Sequence, residues 1–484
     1  MSRSPRSWCP TYFPLFSNAA LREFRLAGKL GDAQLTVTAV FLAGLLASWL
    51  LCRAARGGVV LSTAILTAYG LRTALAILLF SVSAYQLPVF QDLQLGQGFW
   101  AFAPDSRTYH LHAVEIVDAL QAGTEIPQLY DTSGAPVPGP RDFFLFTAFL
   151  YRVLGAHPLY VPLLNAAFWS AVAILAYSLA RRLNGHEGGL IAALLVSFWP
   201  STYIWSSQLL RDSLVILLLL SAFALFARFW NERRRRAVAA LVALVLVAFV
   251  LARLRFYVEL IFTIAIGGAV LAAACRRQGA QVARGCIVTA LLVGVFVLAR
   301  SVDPISFFSP PRSNIGDSID AGRPLEAGTD FLADILTLDQ LTRRDDIQRL
   351  GLDSFRNIVA FVPRGVARAM FAPLPWDWLS PPGDTGLFRK LAGIEIVLLI
   401  ALTPFLAVGL VNAARSVNSE AWLFVAYVIV AATALGIAVT IDGTLFRLRL
   451  QFIVPMFILL GAYAPTALMD ALRRLLPHAQ SAHS

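Results

Sequence analysis

Charged residues are scarce in this chain: Asp, Glu, Lys and Arg together make up 14% of its 484 residues, where ordinary globular proteins carry about 25%. That shortage excludes an aqueous enzyme and a disordered chain, both of which need polar side chains throughout. Cysteine is scarcer still. Cys9, Cys52, Cys275 and Cys286 are scattered, with no CxxC pair and no histidine at metal spacing, so a disulfide scaffold is excluded and no cysteine-held metal is indicated. Cys52 follows Trp49-Leu50-Leu51 and lacks the small preceding residue of a lipoprotein cleavage site. The first 32 residues carry charges throughout and no early apolar core, which argues against a cleavable signal peptide. No internal repeat or low-complexity tract is evident.

Apolar sequence fills the space left. The chain is 58% hydrophobic, with a mean hydropathy of +0.68. A spanning helix needs about 20 mostly apolar residues, and eleven segments qualify: 34–52, 59–84, 158–180, 188–206, 213–230, 237–252, 256–274, 283–300, 390–411, 420–440 and 447–465. The expected fold is an all-α polytopic membrane bundle forming one domain over 1–465. Two long polar stretches, 85–157 and 301–389, interrupt it, and a short tail, 466–484, follows.

The formal charge of +11 and a pI near 9.9 do not indicate nucleic acid, because the basic residues sit in short clusters between apolar runs rather than in a stripe. Short loops rich in Lys and Arg mark the cytoplasmic side of a membrane protein. Arg181-Arg182, Arg228 with Arg233 to Arg236, Arg276-Arg277 with Arg284, Arg415, and Arg473-Arg474 all fall on one side. Both long stretches then face outward, toward a periplasm or its equivalent, and the tail is cytoplasmic. Eleven spans place Arg3, Arg6, Arg22, Arg25 and Lys29 outside. If instead 59–84, with Arg72 near its middle, is a re-entrant pair of short helices, the N-terminus lies inside. The pattern leaves both open.

In the first outer stretch, Leu111, Val114, Val117 and Leu120 recur at helical spacing, so 106–122 reads as an amphipathic helix at the interface, anchored by Phe99, Trp100 and Phe102. Asp105, between Pro104 and that helix, is either an N-cap or a catalytic carboxylate held at the membrane surface. Tyr109 and His110 follow as supporting candidates. His112 alternates with His110, which makes a metal pair unlikely to form on a helix, and is expected to face water.

Arg211-Asp212 lies at the next outer turn, where Asp212 could cap the following helix and Arg211 could anchor to headgroups. Arg253, Arg255, Tyr257 and Glu259 occupy another, and Arg447 and Arg449 follow the Asp442-Gly443 turn signal before the last span. Positive charge on the outer side runs against the topological bias. A donor phosphate accounts for it, since guanidinium groups match phosphate oxygens bidentately. Headgroup anchoring is the plainer alternative. The second long stretch should hold short helices near 330–341 and 354–371, with Trp376 and Trp378 as interface anchors or sugar-stacking platforms.

Asp105-Ser-x-x-Tyr109-His110, then Pro158-Leu-Tyr-x-Pro-Leu-Leu-Asn165, then Trp199-Pro200 and Arg211-Asp212 resemble the GT-C superfamily of polytopic glycosyltransferases. Within it the chain is most similar to the bacterial dolichyl-phosphate-mannose-protein-mannosyltransferase-like, RgtA/B/C/D-like branch, over roughly residues 85–275. The resemblance implies a polyprenyl-phosphate sugar donor, an outward-facing active site and a first-loop Asp, here Asp105, as catalytic base. Asp212 matches the second acidic residue, which supports the base or helps bind a divalent metal where one is used. Two spans precede the loop here, where most of the superfamily has one.

The expected function is an inverting sugar transfer from the lipid carrier to an envelope glycan, lipid or protein, in a bacterial inner membrane. Arg253, Arg255, Tyr257, Arg447 and Arg449 would bind the donor phosphate, and Arg211 and Glu259 would support the site. The alternatives are a polysaccharide polymerase or ligase using a diphosphate-linked glycan, a lipid or sugar transporter, and a structural membrane subunit. A transporter would pair ionisable groups inside spans and break helices near mid-bilayer.

Overall fold

Within a bilayer the backbone must satisfy its own polar groups, and the helix does so within one segment. The computed structural model describes residues 30–124, 126, 141–301, 355–374, 386–416, 418–439 and 442–464. Among them nine helices are long and apolar enough to cross a membrane, and the protein is an all-α multi-pass membrane bundle. The expected helix near 330–341, Trp376, Trp378 and the 466–484 tail lie outside the described residues.

Helices α1 (Leu30–Ala55) and α2 (Gly58–Ala84) form a hairpin, pinned where the Tyr69 hydroxyl donates to the Phe41 carbonyl at 2.7 Å. Helix α2 is unbroken over 27 residues, about 40 Å at 1.5 Å per residue. It is one helix long enough to cross, and not the re-entrant pair of short helices. A small antiparallel pairing of β1 (Gln94–Gly96) with β2 (Phe99–Trp100) follows. Next come α3 (Pro104–Ala122) and α4 (Arg141–Leu154), packed on each other.

Helix α5 (Tyr160–Phe198) would reach about 60 Å if straight, twice the hydrocarbon thickness. It folds back instead. Asn184 and Gly185 leave helical geometry, Gly185 at φ +84°, a conformation glycine adopts without a Cβ penalty. Gly189 then packs directly on the Tyr177 ring and carbonyl, and the Tyr177 hydroxyl meets His186 Nδ1 at 2.8 Å. After a break at Trp199 comes the short α6 (Pro200–Ser206), then α7 (Asp212–Asn231).

Helix α8 (Arg234–Cys275) doubles back as well, at Arg255 (φ −152°, ψ 87°). Arg211, beside the start of α7, donates to the Leu254 carbonyl at 2.5 Å. Arg284 of α9 (Gly279–Ser301) donates to the Trp230 carbonyl, at the other end of α7, at 2.9 Å. The middle of α8 and its two ends thus lie at opposite ends of the bundle. With two of the nine helices doubled, the described residues form eleven apolar helical segments that run the length of the bundle.

Helix α10 (Phe355–Phe371) is the short helix expected near 354–371; it crosses α12 (Ser419–Ala438) backbone to backbone at Gly365 and Gly436. Helix α11 (Gly386–Arg415) precedes α12. The short α13 (Asp442–Leu448) then leads into α14 (Leu450–Tyr463), the buried centre of the bundle, in which every residue from Leu450 to Ala462 is buried. The second half of α5 crosses α14 at Gly188 and Gly461, where a Cβ on either would overlap the other's carbonyl oxygen. Peripheral helices keep Leu42, Leu46, Val293, Val297, Ile394 and Val397 exposed, as lipid-facing surfaces require.

The tight turns at one end carry Arg53, Arg56, Arg181, Arg182, Arg228, Arg233, Arg276, Arg277 and Arg415. They are tied by Arg182 to Glu420 at 3.0 Å and by Arg276 to the Ser416 carbonyl at 2.9 Å. The α3 helix, the α8 reversal and α13 gather at the opposite end.

Candidate active site

Pro104 starts α3 and Ala103 is its N-cap, with no side-chain cap bond. Asp105 therefore does not cap the helix. Its Oδ2 accepts from Arg447 Nη1 at 2.8 Å. Asp212 is the first residue of α7, after the N-cap Arg211; its Oδ1 accepts from Arg255 Nη2 at 2.8 Å. Arg447 Nε lies 3.6 Å from Asp212 Oδ2, so one guanidinium stands between the two carboxylates. Exposure falls inward along this chain of charges. The side chains are 39% exposed at Asp105, 14% at Arg447, 6% at Asp212 and 1% at Arg255.

Arg211, Arg255 and Arg447 all act on the Asp212 carboxylate. Two carboxylates against three guanidinium groups leave one net positive charge. Tyr109, one turn along α3 from Asp105, is buried against Phe143 and Phe144. Burial pushes its phenol up to about 12, with Arg211, Arg447 and Arg255 pulling the other way, so it stays a neutral hydroxyl. The Tyr257 hydroxyl accepts from Arg255 Nη1 at 2.6 Å and from Gln451 Nε2 at 3.3 Å. The Arg447 guanidinium lies 6.0 Å from the Trp205 ring centre. Asn165 donates to the Gln208 and Leu210 carbonyls at 3.0 and 3.1 Å, which fixes the segment leading into Arg211-Asp212.

The structure thus brings Asp105, Tyr109, Arg211, Asp212, Arg255, Tyr257 and Arg447 together. It does not bring the remaining candidates. Arg253 turns aside to Asp142 Oδ1 at 2.9 Å and the Ala299 carbonyl at 2.6 Å. Arg449 is fully buried; it pairs with Glu395 at 3.3 Å and donates to the Ala372 carbonyl at 2.9 Å. Glu259 is buried and accepts from Thr263 at 2.8 Å, and no ion pair joins it to the cluster among the described residues. His110 meets Tyr151 Oη at 2.7 Å and packs on Phe99. It points away from Asp105, because five positions advance a helix by about 140° of net turn. His112 does not simply face water: it packs on Phe144 and meets Glu115 Oε2 at 2.8 Å.

Gln451, Trp205, Asp142 and Glu395 were not among the sequence candidates. Glu395 had a visible signal, since a lone carboxylate in an apolar run needs a partner inside the membrane. Its partners lie at the helix break beneath the site. Arg72 donates to the Ser197 carbonyl at 2.8 Å and to Thr202 Oγ1 at 2.9 Å. Across the break, Glu395 Oε2 accepts the Ser201 N–H at 2.7 Å. The cation thus meets the carbonyl end of one helix and the anion meets the N–H end of the next, which is the pairing the helix dipole favours. Arg72, which showed no partner in the sequence, is clamped there and also faces the Tyr203 ring at 4.5 Å.

Among the described residues no group of three or more His, Cys, Asp or Glu could hold a metal ion. A cation shared by Asp105 and Asp212 would have to displace Arg447. No protein-family model matches the chain, and no curated protein is significantly similar to it.

Proposed function

We propose that this protein is an inverting glycosyltransferase of a bacterial inner membrane. It moves a sugar from a polyprenyl-phosphate carrier to an envelope acceptor, with the site facing the periplasm. One observation carries the reading: a partly exposed carboxylate, Asp105, lies against a guanidinium, Arg447, at the end of the bundle opposite the arginine-rich turns. A base and an anion site side by side are what transfer from a phosphate leaving group needs. The positive-inside bias of the arginine-rich turns supports a cytoplasmic face there and an outward Asp105.

In the reaction, Asp105 takes the proton from the acceptor hydroxyl as that oxygen bonds to the anomeric carbon. The bond from the anomeric carbon to the phosphate oxygen breaks, and its electron pair leaves with the phosphate. Arg447 stabilises the charge that develops there. Asp212, itself held by Arg255, faces Arg447 from behind. The resemblance to the GT-C superfamily supports the same assignment of Asp105.

The test is mass spectrometry of envelope glycans and polyprenyl lipids from a deletion strain, complemented with wild type and with Asp105→Asn. Loss of one sugar with build-up of its monophosphate carrier, rescued by wild type alone, is the expected result. Build-up of a diphosphate-linked oligosaccharide would move the assignment to a polymerase or ligase. A transporter is the second reading, favoured by the broken helix at Trp199–Pro200 with Arg72 and Glu395 buried beside it. An unchanged glycan profile would leave that reading or a structural subunit. A Cys at position 105 should react with a membrane-impermeant maleimide in intact cells; protection there with labelling after lysis would reverse the topology.

A further inference from the structure

Five residues were candidates for a donor-phosphate site, and the fold keeps Arg255, Tyr257 and Arg447 in one cluster while it takes two away. Arg253 and Arg449 are engaged elsewhere. Arg255 is almost fully buried and divided between Asp212 and the Tyr257 hydroxyl. Arg447 is the cluster's ion-paired guanidinium nearest the exposed end, and Asp105 lies over it on that side.

We infer that Asp105 occupies on Arg447 the place of the donor phosphate, so that base and phosphate compete for one guanidinium. The inference rests on the transferase reading above and gives it a device. While Asp105 is charged it holds Arg447 Nη1. When it takes the acceptor's proton its charge disappears, and Nη1 passes to the phosphate just as the departing group gains negative charge. Proton uptake and leaving-group stabilisation are thereby joined through one side chain. The same geometry names the ligand class. One presented arginine suits a single lipid phosphate better than a diphosphate.

Direct binding to the full-length protein in detergent tests this without knowledge of the sugar. Undecaprenyl phosphate, undecaprenyl diphosphate and undecaprenol are titrated against wild type, Asp105→Asn, Asp105→Ala and Arg447→Gln, with unfolding midpoints recorded for each. Loss of the base should tighten undecaprenyl phosphate binding by about fivefold, the size of one partly exposed ion pair. Asp105→Ala, which keeps no acceptor for Arg447, should gain at least as much as Asp105→Asn. Arg447→Gln should weaken the phosphate lipid by about tenfold and leave undecaprenol unaffected. Unchanged or weaker binding in both Asp105 variants, with Arg447→Gln impaired, overturns the competition and leaves the transferase standing. Diphosphate bound far more tightly than monophosphate by wild type overturns the single-phosphate assignment. Failure of wild type and the folded variants to bind either phosphate lipid above undecaprenol overturns the transferase reading itself.

Discussion

Arg447 and Asp105 are 342 positions apart in sequence and 2.8 Å apart in the fold. The first polar stretch and the last membrane hairpin therefore complete one another. Neither α3 nor α13 forms the cluster alone, and α7 and α8 supply the layer behind them.

Asp105→Asn should leave the thermal unfolding midpoint almost unchanged, because a partly exposed ion pair contributes about 1 kcal/mol or less. Sugar transfer in isolated membranes should fall by about 10²–10⁴, the usual contribution of a positioned base. A large drop in midpoint would make the carboxylate structural instead.

The Asp212–Arg255 pair is buried on both sides, so removing one partner strands the other. Asp212→Ala and Arg255→Ala should each cost about 3–5 kcal/mol, and the double variant should cost less than their sum. Unfolding measurements on the four proteins of the cycle decide this; strict additivity would mean that the pair is not coupled.

At the helix break, Arg72→Lys is not conservative. Arg72 Nη2 serves both the Ser197 carbonyl and Thr202 while the planar guanidinium faces the Tyr203 ring at 4.5 Å, a stacking that an ammonium does not reproduce. Arg72→Leu should be worse, since each stranded polar group costs about 1–3 kcal/mol. At Glu395, Gln keeps an acceptor for the Ser201 N–H but loses the charge facing Arg449, and Leu loses both. Unfolding midpoints should fall in the order Glu, Gln, Leu.

His157, between α4 and α5, is a pH-sensitive element outside the spans. It packs on Phe80 and Tyr160, and burial, with His110 nearby, pulls its imidazole down to about 4 from 6.5. Between those values the unfolded chain binds the proton more readily than the folded one. Stability is therefore complete above about 6.5 and declines as pH falls toward about 4. The midpoint of His157→Asn should show a shallower acid slope than wild type across that window; equal slopes would exclude His157 as the cause.

The eleven apolar runs were legible because about 20 consecutive apolar residues have few alternatives to a span. Which neighbour each polar side chain would meet was not legible. Arg447 lies in the last turn of the short α13 and reached Asp105, while Arg449 is the N-cap of α14 and turned to Glu395. At the α8 reversal Arg255 leaves helical geometry, and Arg253 and Arg255 part there for that reason. On α3, Tyr109 at four positions from Asp105 shares its face and His110 at five does not. An N-cap role for Asp105 was a sound local expectation, but the helix starts one residue earlier, at Pro104.

The clamp at the Trp199 break bears on how the protein is made. Arg72 enters the membrane 125 positions before the Ser197 carbonyl that accepts its hydrogen bond, and Ser201 waits a further 194 positions for Glu395. At about 5–20 residues per second, the first delay is on the order of ten seconds. For that time α2 carries a charge that costs about 2.5–3.5 kcal/mol at the centre of a lone helix. The clamp thus closes in two stages, Arg72 first when the second half of α5 is in place and Ser201 only when α11 brings Glu395.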